Sequence, residues 1–140
     1  MAHLIPFTAD HLLAMQLKAG EAKDTAGQPG VVKALESVGK TLVADDGQIL
    51  AVIGVVPTVP GVGEVFILAT DIQAQRPVAF ARFIKRELFT LSEKFRRIQA
   101  VSKFDDFHCR WLSWLGFQVE GRMRKYGLNG EDMLMWGKVK

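Results

Sequence analysis

The stretch "WLSWLGFQVEGRMRKYGLNGEDMLMWGKV", Trp111–Val139, decides the fold because it contains both a helix end and a closing hairpin. Gly116 follows a run of apolar residues at helical spacing, which is typical of the residue just past a helix. Residues 117–127 and 132–139 then alternate in character around the turn "LNGE". A turn of this composition between two such segments predicts a β-hairpin. The stretch therefore reads as helix, strand, turn and strand.

The segment before this stretch predicts a strand, a long helix, a second strand and the start of the final helix. "EVFILAT", residues 64–70, is too short and too rich in β-favouring residues to prefer a helix. "RRIQAVS" reads as the later strand, and Asp105 or Asp106 can cap the final helix. Between the two strands, Pro77 opens a helix whose apolar residues recur every three or four positions: Val78, Phe80, Ala81, Ile84, Leu88 and Leu91.

The first 63 residues supply the remaining elements of a mixed α/β domain. "HLIPF" predicts a strand, Thr8 caps a helix that closes on Gly20, and "VVKALESVG" predicts a second helix. Asp46-Gly47, between "KTLVA" and "ILAVIGVV", predicts a hairpin. The seven residues "PTVPGVG" after it contain Pro and Gly and predict a turn before the next apolar run. The predicted order is βααβββαβαββ, with a largely antiparallel sheet flanked by helices.

Composition limits the class of protein. A chain of 140 residues that is 49% hydrophobic suits one domain, so residues 1–140 are predicted to form a single unit. A net charge of +3, with acidic residues interspersed among the basic ones, does not call for nucleic acid. Cys109 is the only cysteine, which excludes an intrachain disulfide and fits a reducing compartment such as the cytoplasm. No segment has the length and apolarity of a membrane helix, so a soluble protein is expected.

Trp111–Val139 resembles the C-terminal part of the GNAT N-acetyltransferases. In that family, the C-terminal sequence is a helix ending in Leu-Gly-Phe, a variable pair, Glu-Gly-Arg, and a hairpin that finishes in an apolar strand. The order of elements agrees along nearly the whole chain. The resemblance implies a GNAT fold and transfer of an acyl group from acetyl-CoA to an unidentified amine. Acetyl-CoA would lie between the splayed fourth and fifth strands.

The resemblance also implies a site for the coenzyme A pyrophosphate at the start of the long helix. The family's loop reads Gln or Arg, two variable residues, Gly, one variable residue, then Gly or Ala, and its free backbone amides bind the anion. In this chain Ala79 stands where Gly is usual and Pro77 has no N–H to donate. The stretch is therefore either a working phosphate site, helped by an ion pair from Arg76, or an ordinary helix start. The implied pyrophosphate contacts are Arg76, Pro77, Val78, Ala79, Phe80 and Ala81.

Other roles follow from the same resemblance. Ala69, Thr70 and Asp71 would give backbone contacts to the pantetheine arm of the cofactor. Glu64 is the nearest candidate for the general base that receives a proton from the amine, and its alternative role is a solvent-facing strand charge.

The proton donor of the family is missing. Many GNAT enzymes carry a tyrosine four residues before the glycine of Leu-Gly-Phe, and this chain has Leu112 there. His108 is a candidate acid or base, or it makes an i, i+3 contact with Asp105. Cys109 is either a nucleophile or a small buried apolar residue, and no activating base accompanies it in the motif.

A second resemblance offers a different function. "FILATD" and "HCRWLSWLGF" are similar to a phage branch of this fold that includes the internal virion protein A of short-tailed phages. Members of that group carry degraded glycines in the phosphate loop. The alternative is therefore a catalytically inactive GNAT-fold protein of phage or prophage origin, with virion proteins as partners in the host cytoplasm or the virion.

Overall fold

The computed structural model describes residues 2–15, 28–70 and 77–140. Their elements follow the predicted order βααβββαβαββ, which is confirmed. The elements are β1 His3–Pro6, α1 Ala9–Ala14, α2 Pro29–Val38, β2 Lys40–Val43, β3 Ile49–Val59, β4 Val62–Ala69, α3 Pro77–Ser92, β5 Arg97–Lys103, α4 Asp106–Trp114, β6 Gln118–Met123 and β7 Met133–Val139.

The strands form one seven-stranded sheet in the order β1-β2-β3-β4-β5-β7-β6. β1 with β2, β2 with β3, β5 with β7 and β6 with β7 are antiparallel pairs, whereas β4 and β5 are parallel. The parallel register joins Val62–Glu64 to Arg97–Gln99. The prediction of a mixed, largely antiparallel sheet is confirmed.

Two predicted boundaries were wrong. α1 ends at Ala14, because Met15 is extended and buried, and the rest of the helix predicted to Gly20 lies outside the described residues. β3 continues to Val59, so the turn assigned to seven residues is confined to Pro60 and Gly61. Gly61 has φ +83°, a conformation that lets the chain reverse within two residues.

The chain divides into two compact units, Met1–Val56 with Phe66–Leu91 and Pro57–Val65 with Ser92–Lys140. In the first unit the buried core consists of Phe7, Leu12, Met15, Leu35, Val52 and Leu68. The end of α2 meets β3 at two glycines. A Cβ on Gly54 would lie 2.8 Å from Leu35 Cδ2 and 3.2 Å from Gly39 Cα, so this contact requires a residue without a side chain.

In the second unit, Leu-Gly-Phe forms the end of α4. The amide of Gly116 donates to Ser113 O and the amide of Phe117 donates to Leu112 O, both at 3.0 Å. Gly116 has φ +95°, and Leu112 and Phe117 are buried. These bonds and contacts make a Schellman motif, in which glycine adopts the left-handed conformation and the flanking apolar residues pack together. The Leu-Gly-Phe sequence that resembles the GNAT family therefore has a structural role, as the C-terminal cap of α4.

None of the described helices is both long and apolar enough to cross a membrane.

Candidate functional site

The first turn of α3 lies where the phosphate site was predicted. α3 begins at Pro77, and Pro77, Val78 and Ala79 are exposed while Phe80 is buried. The first amides of a helix have no partner within the helix, and the positive end of the helix dipole lies there. Pro77 contributes no amide, so Val78 and Ala79 present the N–H groups closest to the helix start. No acidic residue occupies this turn.

Basic residues for which no role was predicted continue from this turn. Arg82, Lys85 and Arg86 are exposed on α3, and their i, i+3, i+4 spacing was the available signal. Arg76 and Asp71, two predicted cofactor contacts, lie outside the described residues. Ala81 is half-buried.

The predicted pantetheine contacts at the end of β4 are buried. Ala69 and Thr70 both have little exposed surface. The Thr70 amide and the Thr70 Oγ1 hydroxyl each donate to Leu50 O at 3.0 Å. The Thr70 amide is thus already used within the fold, and a ligand contact through it would compete with this bond.

Glu64, the candidate base, takes part in a chain of side-chain hydrogen bonds. It is the third residue of β4 and is half-buried, so it does not begin the strand. Gln99 lies beside it on β5, and Gln99 Nε2 donates to Glu64 Oε1 at 3.3 Å. Arg97 Nε donates to Gln99 Oε1 at 3.2 Å. Sequence reasoning missed this link because only the strand register brings Glu64 and Gln99 together.

The chain of hydrogen bonds ends in an ion pair between Arg97 and Glu120. Arg97 Nη1 and Nη2 donate to Glu120 Oε2 and Oε1 at 2.8 and 2.6 Å, a bidentate geometry. The hydrogen bonds from Arg97 hold the pKa of Glu120 below its ordinary value, and those to Glu120 raise the pKa of Arg97. Glu120 is thus a paired charge on β6.

This ion pair predicts an acid-sensitive contribution to stability. Because the folded-state pKa of Glu120 is lowered from 4.5, the unfolded chain binds more protons as the pH falls below about 4.5, and the pair's stabilisation is lost there. We expect Glu120→Gln to reduce the difference in urea unfolding midpoint between pH 7 and pH 3. Arg97→Met should reduce it similarly, because it removes the cause of the shift. A difference unchanged in both variants would contradict the prediction.

His108 makes the i, i+3 contact with Asp105. Asp105 is the N-cap of α4, and its Oδ1 accepts the backbone amide of His108 at 2.8 Å. The His108 ring Nδ1 lies 2.8 and 2.9 Å from the two carboxylate oxygens of Asp105. Burial acts to raise the pKa of Asp105, but the hydrogen bonds from His108 and the charges of His108 and Lys103 outweigh it and lower the pKa. One ring nitrogen of His108 is thus engaged in the helix cap.

Leu112 and Cys109 lie on the same helix. Leu112, in the place of the family's tyrosine, is buried and carries no proton to donate. Cys109 is half-buried and faces an open groove with a volume of about 970 Å³. Phe104, at another wall of this groove, is 52% exposed and has Arg122 stacked 4.9 Å from its ring centre.

Among residues 2–15, 28–70 and 77–140, no cluster of His, Cys, Asp or Glu side chains has the arrangement of a metal site.

Comparison with known proteins identifies the fold. The sequence matches no protein-family model and no curated protein. The structure is similar to Ard1 from Thermoplasma volcanium, with a TM-score of 0.79 and 11% identity over 99% of this chain and 97% of that one. A Bacillus subtilis acetyltransferase solved in complex with CoA is similar with a TM-score of 0.75 and 15% identity, over 99% of this chain and 97% of that one. A GNAT-family acetyltransferase from Bacillus anthracis is similar with a TM-score of 0.69 and 13% identity, over 99% of this chain and 94% of that one.

The chain therefore has the fold of the GNAT acetyltransferases. At identities of 11–15%, these neighbours establish the architecture and leave the chemistry to be argued from the chain's own residues.

Proposed function

We propose that this protein is a GNAT-type acetyltransferase that binds acetyl-CoA at the first turn of α3 and transfers the acetyl group to an amine. The observation that carries the proposal is the exposed turn Pro77–Ala79, which follows β4 and is free of acidic side chains. Helix amides and the helix dipole favour a phosphate at such a turn. The exposed Arg82, one turn further on, adds positive charge for the phosphates of the cofactor.

The reaction needs one proton acceptor and one proton donor. Glu64 would take a proton from the substrate ammonium, and the free amine would then attack the thioester carbonyl carbon. The carbon–sulfur bond breaks and the coenzyme A thiolate leaves. Leu112 cannot protonate that thiolate. We propose that the thiolate receives its proton from water or from the amine nitrogen as the new amide forms.

An inactive GNAT-fold protein is the second candidate. Leu112 in the tyrosine position and the Thr70 amide already bonded to Leu50 O both favour it. Such a protein would use the fold for contacts with other proteins, and virion or assembly components are the partners we propose for it. A third candidate is a sensor that binds coenzyme A without turnover.

Charge at the first turn of α3 provides the test. We expect acetyl-CoA to bind the wild type saturably at micromolar concentration, measured by titration calorimetry at moderate salt. Ala79→Glu places a carboxylate beside the exposed amides and should weaken binding at least about tenfold, or about 1.4 kcal/mol. Thr90→Glu makes the same addition of charge near the far end of α3, where Thr90 is exposed, and should leave the affinity unchanged.

The result separates the three candidates. No heat up to millimolar acetyl-CoA would overturn the enzyme and the sensor together, leaving the inactive protein. Binding without release of coenzyme A thiol, on addition of polyamines, lysine peptides and peptides with free N-termini, would favour the sensor. Equal weakening by both substitutions would show that long-range charge, and not the first turn, attracts the ligand.

A further inference from the structure

A chain of four polar side chains extends across β4, β5 and β6 in the second unit: Glu64, Gln99, Arg97 and Glu120. We infer that Gln99 is a positioning residue, which holds the carboxylate of Glu64 in one orientation for proton transfer. This inference rests on the proposed function, since it assigns a task to the base of that reaction.

The orientation of the Gln99 amide is set by its neighbour. Arg97 Nε can only donate, so the Gln99 atom 3.2 Å away must be the carbonyl oxygen Oε1. The amide nitrogen Nε2 is then directed to Glu64 Oε1, at 3.3 Å. The Gln99 side chain is half-buried and lies beside Glu64 in the parallel register of β4 and β5. Both ends of the amide therefore have defined partners.

Arg97 is itself held in place. Its two terminal nitrogens bind both oxygens of Glu120. The pair lies over Gly137 of β7, where a Cβ would come within 2.2 Å of Glu120 Oε2 and 2.7 Å of Arg97 Nη1. The absence of a side chain at Gly137 thus provides the space for the ion pair, and two charges anchored in this way fix the position of Nε.

The neutral amide matters for the chemistry of the base. A cation in direct contact with a carboxylate favours its charged form and makes it a weaker proton acceptor. Here Glu120 neutralises Arg97, and the uncharged Gln99 separates Arg97 from Glu64. Glu64 therefore receives an orienting hydrogen bond from a neutral donor, while the charge of Arg97 is paired with Glu120.

The contact can be tested without catalysis. The side-chain amide protons of Gln99, identified by their loss in Gln99→Met, should exchange slowly with water in 15N–1H NMR spectra at pH 7, because Nε2 donates to Glu64 Oε1. Glu64→Ala removes the acceptor and should speed that exchange. If the exchange rate is the same in Glu64→Ala, Gln99 does not contact the Glu64 carboxylate and the inference is overturned.

The catalytic part is tested by a double-mutant cycle. We expect Gln99→Met to lower kcat about tenfold with the acetyl-CoA affinity unchanged, and to have no further effect in the Glu64→Gln background. Gln118→Met, the same change at an exposed position of β6, should leave kcat unchanged. Additive losses would overturn a role through Glu64. If the NMR contact is present and acetyl-CoA binds, but no amine is acetylated, the proposed function fails, and the catalytic role of Gln99 fails with it.

Discussion

Leu35→Ala lowers the free energy of unfolding by about 2–5 kcal/mol, the cost of deleting a fully buried leucine and leaving a cavity. Leu35 has no exposed surface and packs in α2 against the core of the first unit. Its Cδ2 also occupies the space over Gly54. Little room is left for neighbours to close the gap, so a value in the upper half of the range is expected. Urea unfolding followed by circular dichroism measures the effect.

Leu13→Ala is the matched control. Leu13 is 86% exposed on α1, so the same truncation there should change the free energy of unfolding by less than about 0.5 kcal/mol. Equal losses in the two variants would contradict the assignment of Leu35 to the core.

The same variant tests the prediction of a single domain. The three tryptophans, Trp111, Trp114 and Trp136, all belong to the second unit, so their fluorescence reports on that unit. If residues 1–140 unfold as one domain, Leu35→Ala will shift the fluorescence midpoint as much as the circular dichroism midpoint. A fluorescence midpoint that stays in place while the dichroism divides into two transitions would show two independent domains.

Trp136→Ala is expected to lower the free energy of unfolding by about 3–5 kcal/mol, which is the second large effect. Trp136 is 3% exposed on β7, and its indole Nε1 donates to Ser102 Oγ of β5 at 2.9 Å. The substitution removes a large buried ring and leaves a buried hydroxyl without its donor. Ser102 Oγ itself donates to Lys103 O, which moderates the loss at the hydroxyl. Urea unfolding should be followed by circular dichroism here, because the substitution also removes a fluorophore.

Two further variants separate the ring from its hydrogen bond. Trp136→Phe keeps an aromatic ring and should retain the fold, at a smaller cost of about 1–3 kcal/mol for the lost hydrogen bond and packing. Trp114→Ala removes an indole that is 47% exposed and stacked 5.9 Å from Trp111, so its cost should stay below about 1.5 kcal/mol. If Trp114→Ala proves as costly as Trp136→Ala, Trp136 is not the main aromatic anchor of the second unit.

The turns and helix ends were predictable because each depends on a few neighbouring residues. Gly47 and Gly130 adopt positive φ in the two predicted hairpin turns, at +87° and +79°. Pro77 begins α3 as expected, since its fixed φ suits a first helical residue. Spacing offered Asp105 or Asp106 as the N-cap and an i, i+3 contact as one role of His108, and the structure shows Asp105 as the cap and the partner of His108. The resemblance to the GNAT acetyltransferases agreed with the predicted order of elements, and the order of strands in the sheet came from the structure.

The candidate site was predictable only in part. The first turn of α3 lies within one segment, so sequence could indicate it. The bonds of Thr70 to Leu50 O and of Gln99 to Glu64 join residues 20 and 35 positions apart, and nothing local encodes them. They arise when strands come into register, which sequence periodicity does not specify for partners so distant.

The sequence by itself determined the order of the elements, the two hairpin turns at Gly47 and Gly130 and the presence of a leucine at position 112, because these are properties of short segments or of single side chains. Only the tertiary structure decided which charges are neutralised and which carboxylate receives a neutral donor. Gly137 shows the reason: its missing side chain matters only because β7 pairs with β5 and β6 and places it under Arg97 and Glu120.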